Sequence, residues 1–282
     1  MTTTLITGVT GAVGSRYARR LLADPDRAVR VLVRAEEQVP LWRDRGAEVI
    51  PGDLRDLDAV KRAVSGVDAV VHLAAAFRGV PDEEAIAVNH GASVALARAA
   101  LAAGVARFVF ASTTLVYGPG RGRPAREDDE PQPGHAYPAS KVAAERDMLR
   151  LHREEGLPLR IVRLAFVYGE GDPHLDWVRG PARTWPAHQR LQVVHHADVA
   201  QALTRALDTD GVDGRIYNVA DDAPITAWEL LALGGEAPEA GAADRVLADP
   251  WQGIADTMRI RKELGYRPIY PTVYAAREAG AM

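Results

Sequence analysis

The stretch Thr3-Thr4-Leu5-Ile6-Thr7-Gly8-Val9-Thr10-Gly11-Ala12-Val13-Gly14 runs straight into a helical pattern over residues 13–23. A short β-branched and apolar run, a glycine-rich turn and then a helix make one strand–turn–helix unit. Each glycine has a physical task. One permits a tight turn, one lets backbone N–H groups approach a pyrophosphate, and one lets helix and strand pack closely. The positive end of the helix favours the bound negative charge. The stretch therefore predicts a dinucleotide site built from Gly8, Thr10, Gly11, Ala12, Val13 and Gly14.

Beyond this unit the alternation continues. Strands are predicted over residues 29–34, 48–51, 69–73, 107–112 and 159–164, and helices over 57–64, 83–103 and 137–155. Strands alternating with helices predict the α/β class, here a Rossmann-type doubly wound parallel sheet. The Pro/Gly-rich stretches 118–134 and 169–189 read as surface loops beside strand ends, where open α/β sheets bind ligands. After residue 168 the pattern breaks into short pieces. The expected organisation is a dinucleotide-binding domain over 1–168, also receiving parts of 190–220, and a small interleaved substrate-binding part over 169–282.

Composition excludes other classes. A net charge of -4, with 47% hydrophobic and 26% charged residues, offers no basic excess for nucleic acid or an anionic membrane surface. Without cysteine there is no disulfide, thiolate metal site or cysteine nucleophile. No basic leader with a cleavage site opens the chain, and no apolar run comes near the ~20 residues of a spanning helix, so a cytoplasmic protein is expected.

The end of the second strand selects the cofactor. An Asp or Glu there would bond the adenosine ribose of NAD, whereas this chain has Arg34. A guanidinium at that point pairs with a 2'-phosphate, so NADP(H) is favoured over NAD(H). Alternatively, Arg34 is a solvated strand-end residue and Glu36 or Glu37 reaches the ribose, leaving NAD(H) possible. Asp53 and Leu54 close the third strand, and Asp53 is positioned to accept from the adenine amino group. Leu73, Ala74 and Ala75 close the fourth, where small side chains leave room for the cofactor.

Tyr137-Pro138-Ala139-Ser140-Lys141 opens a helical pattern and puts Tyr137 and Lys141 four apart on one face. A phenol is a poor base at neutral pH, and a neighbouring ammonium together with a positive nicotinamide ring brings it into range. The preceding strand ends in Ser112-Thr113-Thr114, adding hydroxyls at a parallel-strand C-terminus.

Taken in order, Gly8/Gly11/Gly14, Gly52-Asp53, His72-Leu73-Ala74-Ala75, Asn89-x-Gly91, Ser112 to Gly118, Tyr137/Lys141, Arg163 with Val167-Tyr168-Gly169, Asp198-Val199-Ala200, Tyr217-Asn218-Val219 and Leu264-Gly265-Tyr266 resemble the extended short-chain dehydrogenase/reductase family, also called the NAD-dependent epimerase/dehydratase family. The resemblance spans most of the chain. It implies Tyr137 as acid/base, Lys141 as the group that binds the nicotinamide ribose and tunes Tyr137, and Thr113 as the hydrogen-bond partner of the reacting oxygen, with Ser112 as the neighbour able to share that role. Asn89 is expected to be a helix-start residue with a structural task. The family also implies a homodimer through helices 83–103 and 137–155, with Ala92, Ala95, Ala99 and Ala103 permitting close approach.

Departures from the family pattern narrow the chemistry. Sugar-nucleotide dehydratases of the family place Asp-Glu after the catalytic Thr, whereas this chain has Thr114-Leu115, which disfavours dehydration. Epimerisation beside a ketone commonly uses a Cys and a His, and there is no Cys. Hydride chemistry at one carbinol or carbonyl carbon remains, as net reduction or oxidation or as 4-epimerisation of a sugar, nucleotide sugar or small polar compound. Phe166 stands where nucleotide-sugar enzymes usually carry Asn, and with Arg34 it suggests an NADPH carbonyl reductase of the dihydroflavonol/aldehyde-reductase kind as the alternative. A non-catalytic dinucleotide sensor is the second alternative, which intact Tyr137/Lys141 opposes. The substrate candidates are Phe77, Thr114, Phe166 and Arg245, the last from its spacing to Asp256, with Arg78, Trp177 and Trp185 as further walls. Five histidines (His135, His174, His188, His195, His196) are scattered without paired carboxylates, so no metal is expected, and Glu127 to Glu130 reads as a solvated acidic loop.

Overall fold

In the computed structural model, residues 2–77 and 79–282 are described; Arg78 lies outside them. The chain begins with β1 (Thr2–Thr7), whose last four residues are buried. It pairs in parallel with β2 (Arg27–Val33) on one side and β4 (Ala69–His72) on the other. β3 (Glu48–Pro51) extends the sheet beyond β2, and β5 (Arg107–Thr113) and β6 (Leu159–Leu164) extend it beyond β4. Four more strands follow: β7 (Phe166–Tyr168), β8 (Arg190–Leu191), β9 (Val193–His195) and, back in the main sheet beside β6, β10 (Arg215–Val219). The seven strands lie in the order β10-β6-β5-β4-β1-β2-β3. The order reverses between β1 and β4, and the crevice at the strand C-termini there is where such sheets bind ligands.

Helices cover both faces, so the central strands are buried almost throughout rather than on alternate residues. On one face Tyr17 and Leu21 of helix Ala12–Leu22, Trp42, and Val199 and Leu203 of helix His196–Asp208 bury against the sheet. On the other, Val60 and Val64 of helix Leu57–Val64, Leu96 and Ala100, and Met148 and Leu151 of helix Ala136–Glu155 do the same. A smaller core gathers Tyr168, Leu175, Val193, Leu230 and Val273 with Ile225 of β11 (Ile225–Thr226), which pairs antiparallel with β8.

Three expectations need correction. Residues 169–189 are not wholly loop, because helix His174–Ala182 lies there; Gly180 and Pro181 in its last turn hide it from a pattern search. Asn89 does not start a helix. Helix Asp82–Ala102 runs past it, and Ala87–Ala92 forms a π turn inside it. That helix, with mean hydropathy 1.2, also has the length and composition to cross a membrane, contrary to the expectation that no run comes near. In this fold its Leu96, Ala97 and Ala100 are buried against the sheet.

Candidate active site

The glycine turn is shaped by contacts that exclude a side chain. Gly8 has φ +78, and a Cβ there would sit 2.5 Å from Ala74 N; a Cβ on Gly14 would sit 2.2 Å from Gly8 O. Helix Ala12–Leu22 begins after Gly11 with no side-chain cap and no acidic residue in its first turn. Its first N–H groups are thus left to a ligand. Thr10, Gly11, Ala12 and Val13 border a cavity of about 950 Å³ with Gly8 and Gly14. A closely approached turn and an uncapped helix N-terminus fit the pyrophosphate of a dinucleotide.

The adenosine end is set by Arg34, Asp53, Leu54, Leu73, Ala74 and Ala75, which all border the same cavity. Arg34 is 72% exposed, with Nη1 3.8 Å from Asp53 Oδ2. Asp53 is engaged more closely by Arg55, at 3.0 Å through both Nε and Nη2, and these bonds hold its carboxyl below the usual range. The Arg34 guanidinium is held weakly enough to serve a ligand. Glu36 and Glu37 are exposed and do not border the cavity.

Behind the turn, His72 ties β4 to its neighbours. The Ser93 hydroxyl donates to Val88 O (3.1 Å) and therefore accepts from His72 Nε2 (2.8 Å), while the Thr7 hydroxyl donates to Nδ1 (2.6 Å). Burial pushes His72 down to about 3, so this imidazole is a neutral structural link.

At the reacting end, Tyr137 and Lys141 border the cavity together with Ser112 and Thr113. Burial pushes Tyr137 up to about 12. Lys141 is buried, and burial brings its ammonium down to about 8 against the opposing pull of Glu145. Its Nζ donates to Ala111 O at 3.0 Å and lies 4.7 Å from the Phe110 ring centroid. Thr113 Oγ1 accepts from Leu115 N (3.2 Å), which leaves its proton to donate. Ser112 Oγ is buried and has no partner among the described residues, so it too is available to a ligand. Phe77 packs on Tyr137 with ring centroids 4.5 Å apart. Asn89 is fully buried; it pairs with both backbone groups of Ala76 (2.8 Å each) and reaches Ser140 Oγ (3.2 Å), which donates to Tyr137 O. The π turn is what aims this amide between the segment after β4 and the first turns of helix Ala136–Glu155.

Beyond Tyr137 the wall continues through Thr114, Leu115, Phe166, His174, Arg190 and Gln252. Arg245 is not among them. Its guanidinium bonds Thr184 O (2.6 Å) and Glu239 (2.8 Å), and spacing to Asp256 misplaced it. Among the described residues, Arg190, stacked 4.8 Å from the Trp251 centroid and donating to Pro250 O (2.6 Å), is the cation in this part of the lining. Trp177 and Trp185 do not border the cavity either; Trp177 packs edge-on against His174 and Trp185 on the smaller core. Glu127, expected in solvent, is buried and accepts from Asn218 N (3.0 Å). Beside it the Arg163 guanidinium grips Glu145 (3.1 and 2.6 Å) and Tyr117 Oη (2.8 Å). This buried network fixes the floor under helix Ala136–Glu155.

A profile of the NAD dependent epimerase/dehydratase family matches residues 4–220. The chain belongs to that family. It is 31% identical to a dTDP-glucose 4,6-dehydratase of Streptomyces griseus over 94% of this chain and 88% of that one. To a 3 beta-hydroxysteroid dehydrogenase/Delta 5-->4-isomerase of Mycobacterium tuberculosis it is 27% identical, over 97% and 88%. Among solved structures, a dTDP-glucose 4,6-dehydratase of Streptomyces venezuelae with NAD bound superposes with a TM-score of 0.77 at 27% identity, covering 98% and 97% of the two chains.

Within the epimerase/dehydratase family, the chain is of the NAD-dependent oxidoreductase/epimerase type. The expectation that Thr114-Leu115 sets dehydration aside gains no support from relatives that are themselves dehydratases. Two residues cannot overrule a likeness spread over the whole chain. Sequence reasoning weighed His174 only as a metal ligand and missed Arg190: the first opens a helix read as loop, and the second sits on a two-residue strand too short to show a period.

Proposed function

We propose that the chain is an NADP(H)-using oxidoreductase acting at one carbinol or carbonyl carbon of a sugar, nucleotide sugar or comparable small polar substrate, by net reduction or oxidation or by 4-epimerisation. The observation that carries this reading is that Tyr137, Lys141 and Thr113 border the same cavity as the glycine turn. When bound, the nicotinamide donates or accepts the hydride. Tyr137 gives a proton to the substrate oxygen or takes one from it, and Thr113 donates a hydrogen bond to that oxygen. With its phenol pushed up to about 12, Tyr137 is protonated at neutral pH and poised as an acid. Burial is what acts on Tyr137 in the structure, and Lys141, bordering the same cavity, is the ammonium assigned here to stabilise the phenolate in the reverse step. Arg34 supports NADP(H) over NAD(H), because it is the guanidinium at the adenosine end and is bound only loosely to Asp53.

Tyr137→Phe tests the assignment. The variant is expected to bind NADPH normally and to lose at least ~100-fold in turnover against a panel of nucleotide sugars, ketones and aldehydes. Near-normal turnover would remove Tyr137 from the chemistry. A second reading, a reductase of apolar carbonyl compounds, is favoured by Phe77, Leu115 and Phe166 in the cavity wall. The ratio of kcat/KM for an aromatic ketone to that for a nucleotide sugar separates the two.

A further inference from the structure

The loop between β7 and helix His174–Ala182 carries a buried carboxylate with two imidazoles on it. Asp172 has no solvent exposure at its side chain. Its Oδ1 accepts from His174 Nδ1 (2.7 Å) and from the His174 backbone N (3.0 Å), and its Oδ2 accepts from His196 Nε2 (2.7 Å). Burial alone would raise Asp172, but the bonds from the two histidines outweigh it and hold the carboxyl well below the usual range. His196, sealed from solvent, is pushed down by burial and serves as a neutral donor. Asp172 therefore stays an anion, and it fixes Nδ1 as the proton-bearing nitrogen of His174.

His174 is the member of this cluster that meets the cavity. Its ring is wedged edge-on between Phe166 (centroids 5.7 Å) and Trp177 (4.9 Å), and its side chain is 23% exposed. With Nδ1 engaged, Nε2 is the nitrogen left for a ligand. Among the described residues the cavity's carboxylates are Asp53, in the cofactor part, and Glu84 of helix Asp82–Ala102; the lining that includes His174 also includes Phe166, Leu191 and the cation Arg190. A cation and an ionisable imidazole, whose carboxylate partner Asp172 lies behind the ring and outside the cavity lining, complement negative charge.

We propose that His174 recognises the substrate, donating from Nε2 to an acidic oxygen at the end remote from the carbon that exchanges hydride, and that Asp172 is its positioning residue. The proposal rests on the cavity being an oxidoreductase site. A neutral imidazole with its proton on Nδ1 presents only a lone pair at Nε2, which repels an anion. Protonation turns that atom into a donor, and Asp172 supplies the counter-charge. Binding of the acidic group therefore tightens as pH falls. The other charges around His174 do not replace this switch. Asp176 and Arg179 on its own helix pair with each other, Glu170 behind the loop is held by Arg16 and Arg20, and Glu229 on the neighbouring helix is taken up by its own N-cap. Arg190, which borders the same cavity, is a guanidinium and supplies no such switch.

Carbon–proton NMR of the histidine Cε1–H groups in the full chain, saturated with NADPH, tests this. Sulfate stands in for a phosphate and acetate for a carboxylate, and neither changes charge between about pH 6 and 8. The His174 signal, assigned by its disappearance in His174→Gln, is expected to shift on titration. The better-bound of the two anions should bind about 10-fold tighter at the lower pH, and which one it is identifies the acidic group. His174→Gln should bind at the lower pH no better than the wild type at the higher. His174→Arg should bind tightly at both, and Asp172→Asn should move the titration of the His174 signal and flatten the preference. Unchanged NADPH affinity verifies that each variant is folded. An unmoved His174 signal, or a pH preference that survives in His174→Gln, overturns the proposal. NADPH that fails to bind the wild type would instead count against the oxidoreductase reading, and the same titration without it would still decide the role of His174.

Discussion

Gly8→Ala and Gly46→Ala form a matched pair that isolates the close approach at the cofactor turn. Both glycines have left-handed φ, +78 and +90, so each substitution meets a backbone penalty of about 1–2 kcal/mol, partly offset by a stiffer unfolded chain. At Gly46 nothing lies within 4 Å of the new Cβ, and the net cost stays near ~1 kcal/mol. At Gly8 the Cβ would lie 2.5 Å from Ala74 N and 2.7 Å from both Ala74 Cα and Leu73 C. All three are backbone atoms at the end of β4, which must retreat by roughly 1 Å to reach ordinary contact. Such overpacking adds about 1–3 kcal/mol, for a total near ~2–4 kcal/mol, or a Tm loss of roughly 5–15 °C in a chain of this size. Because Leu73, Ala74 and Ala75 border the cavity, the same retreat should weaken NADPH binding in Gly8→Ala alone. Thermal unfolding followed by circular dichroism, with NADPH fluorescence titration, measures both effects. Equal Tm losses in the two variants, with NADPH affinity intact in both, would refute the reasoning that the turn is shaped by contact with β4.

Arg34→Ala should weaken NADP(H) by about 10-fold, the low end for a charge-assisted contact because the side chain is 72% exposed, and leave NAD(H) nearly unchanged. Equal weakening of both cofactors at fixed low salt would make Arg34 a bystander. Burial, with Asp222 and Asp198 adding to it, pushes Asp221 up to about 9, so the folded protein holds a proton there that the unfolded chain releases above about pH 4. This group's contribution therefore falls as pH rises from about 4 to about 9, by on the order of 1.4 kcal/mol per unit, and Asp221→Asn should flatten the decline in urea midpoints between pH 6 and 8. Parallel curves for wild type and variant would contradict it. A homodimer through helices Asp82–Ala102 and Ala136–Glu155 predicts twice the chain mass by light scattering at micromolar concentration. Ala95 is half-buried and available for it, whereas Ala99 packs on the chain's own core and Ala92 is buried. A monomer would remove the claim.

What could be read from the sequence was local. The glycine turn, the apolar β-branched runs and the four-residue spacing of Tyr137 and Lys141 each carry their meaning within a few residues. Strands 48–51 and 159–164 accordingly have the bounds their patterns predict. What escaped depends on partners far along the chain. Glu127 looks solvated until Asn218, 91 residues later, donates to it. Asp172 and His174 are neighbours in sequence, but His196, 24 residues on from Asp172, is what completes the cluster. Arg245 erred the other way, since a spacing that suggested a site had no tertiary contact behind it. The π turn at Asn89 was equally invisible, because one extra residue in a helical turn leaves the apolar period almost unchanged.

The place of β10 in the sheet has a consequence for biosynthesis. β6 is buried along its whole length, and its outer edge is covered by Arg215–Val219, which emerge from the ribosome long after Leu164. At about 5–20 residues per second, the nascent chain carries a core strand with unpaired N–H and C=O groups for roughly 3 to 10 seconds. That interval is when the chain is open to pairing with another copy of itself. A fragment ending at residue 168 would keep the open edge permanently and should aggregate where the full chain does not.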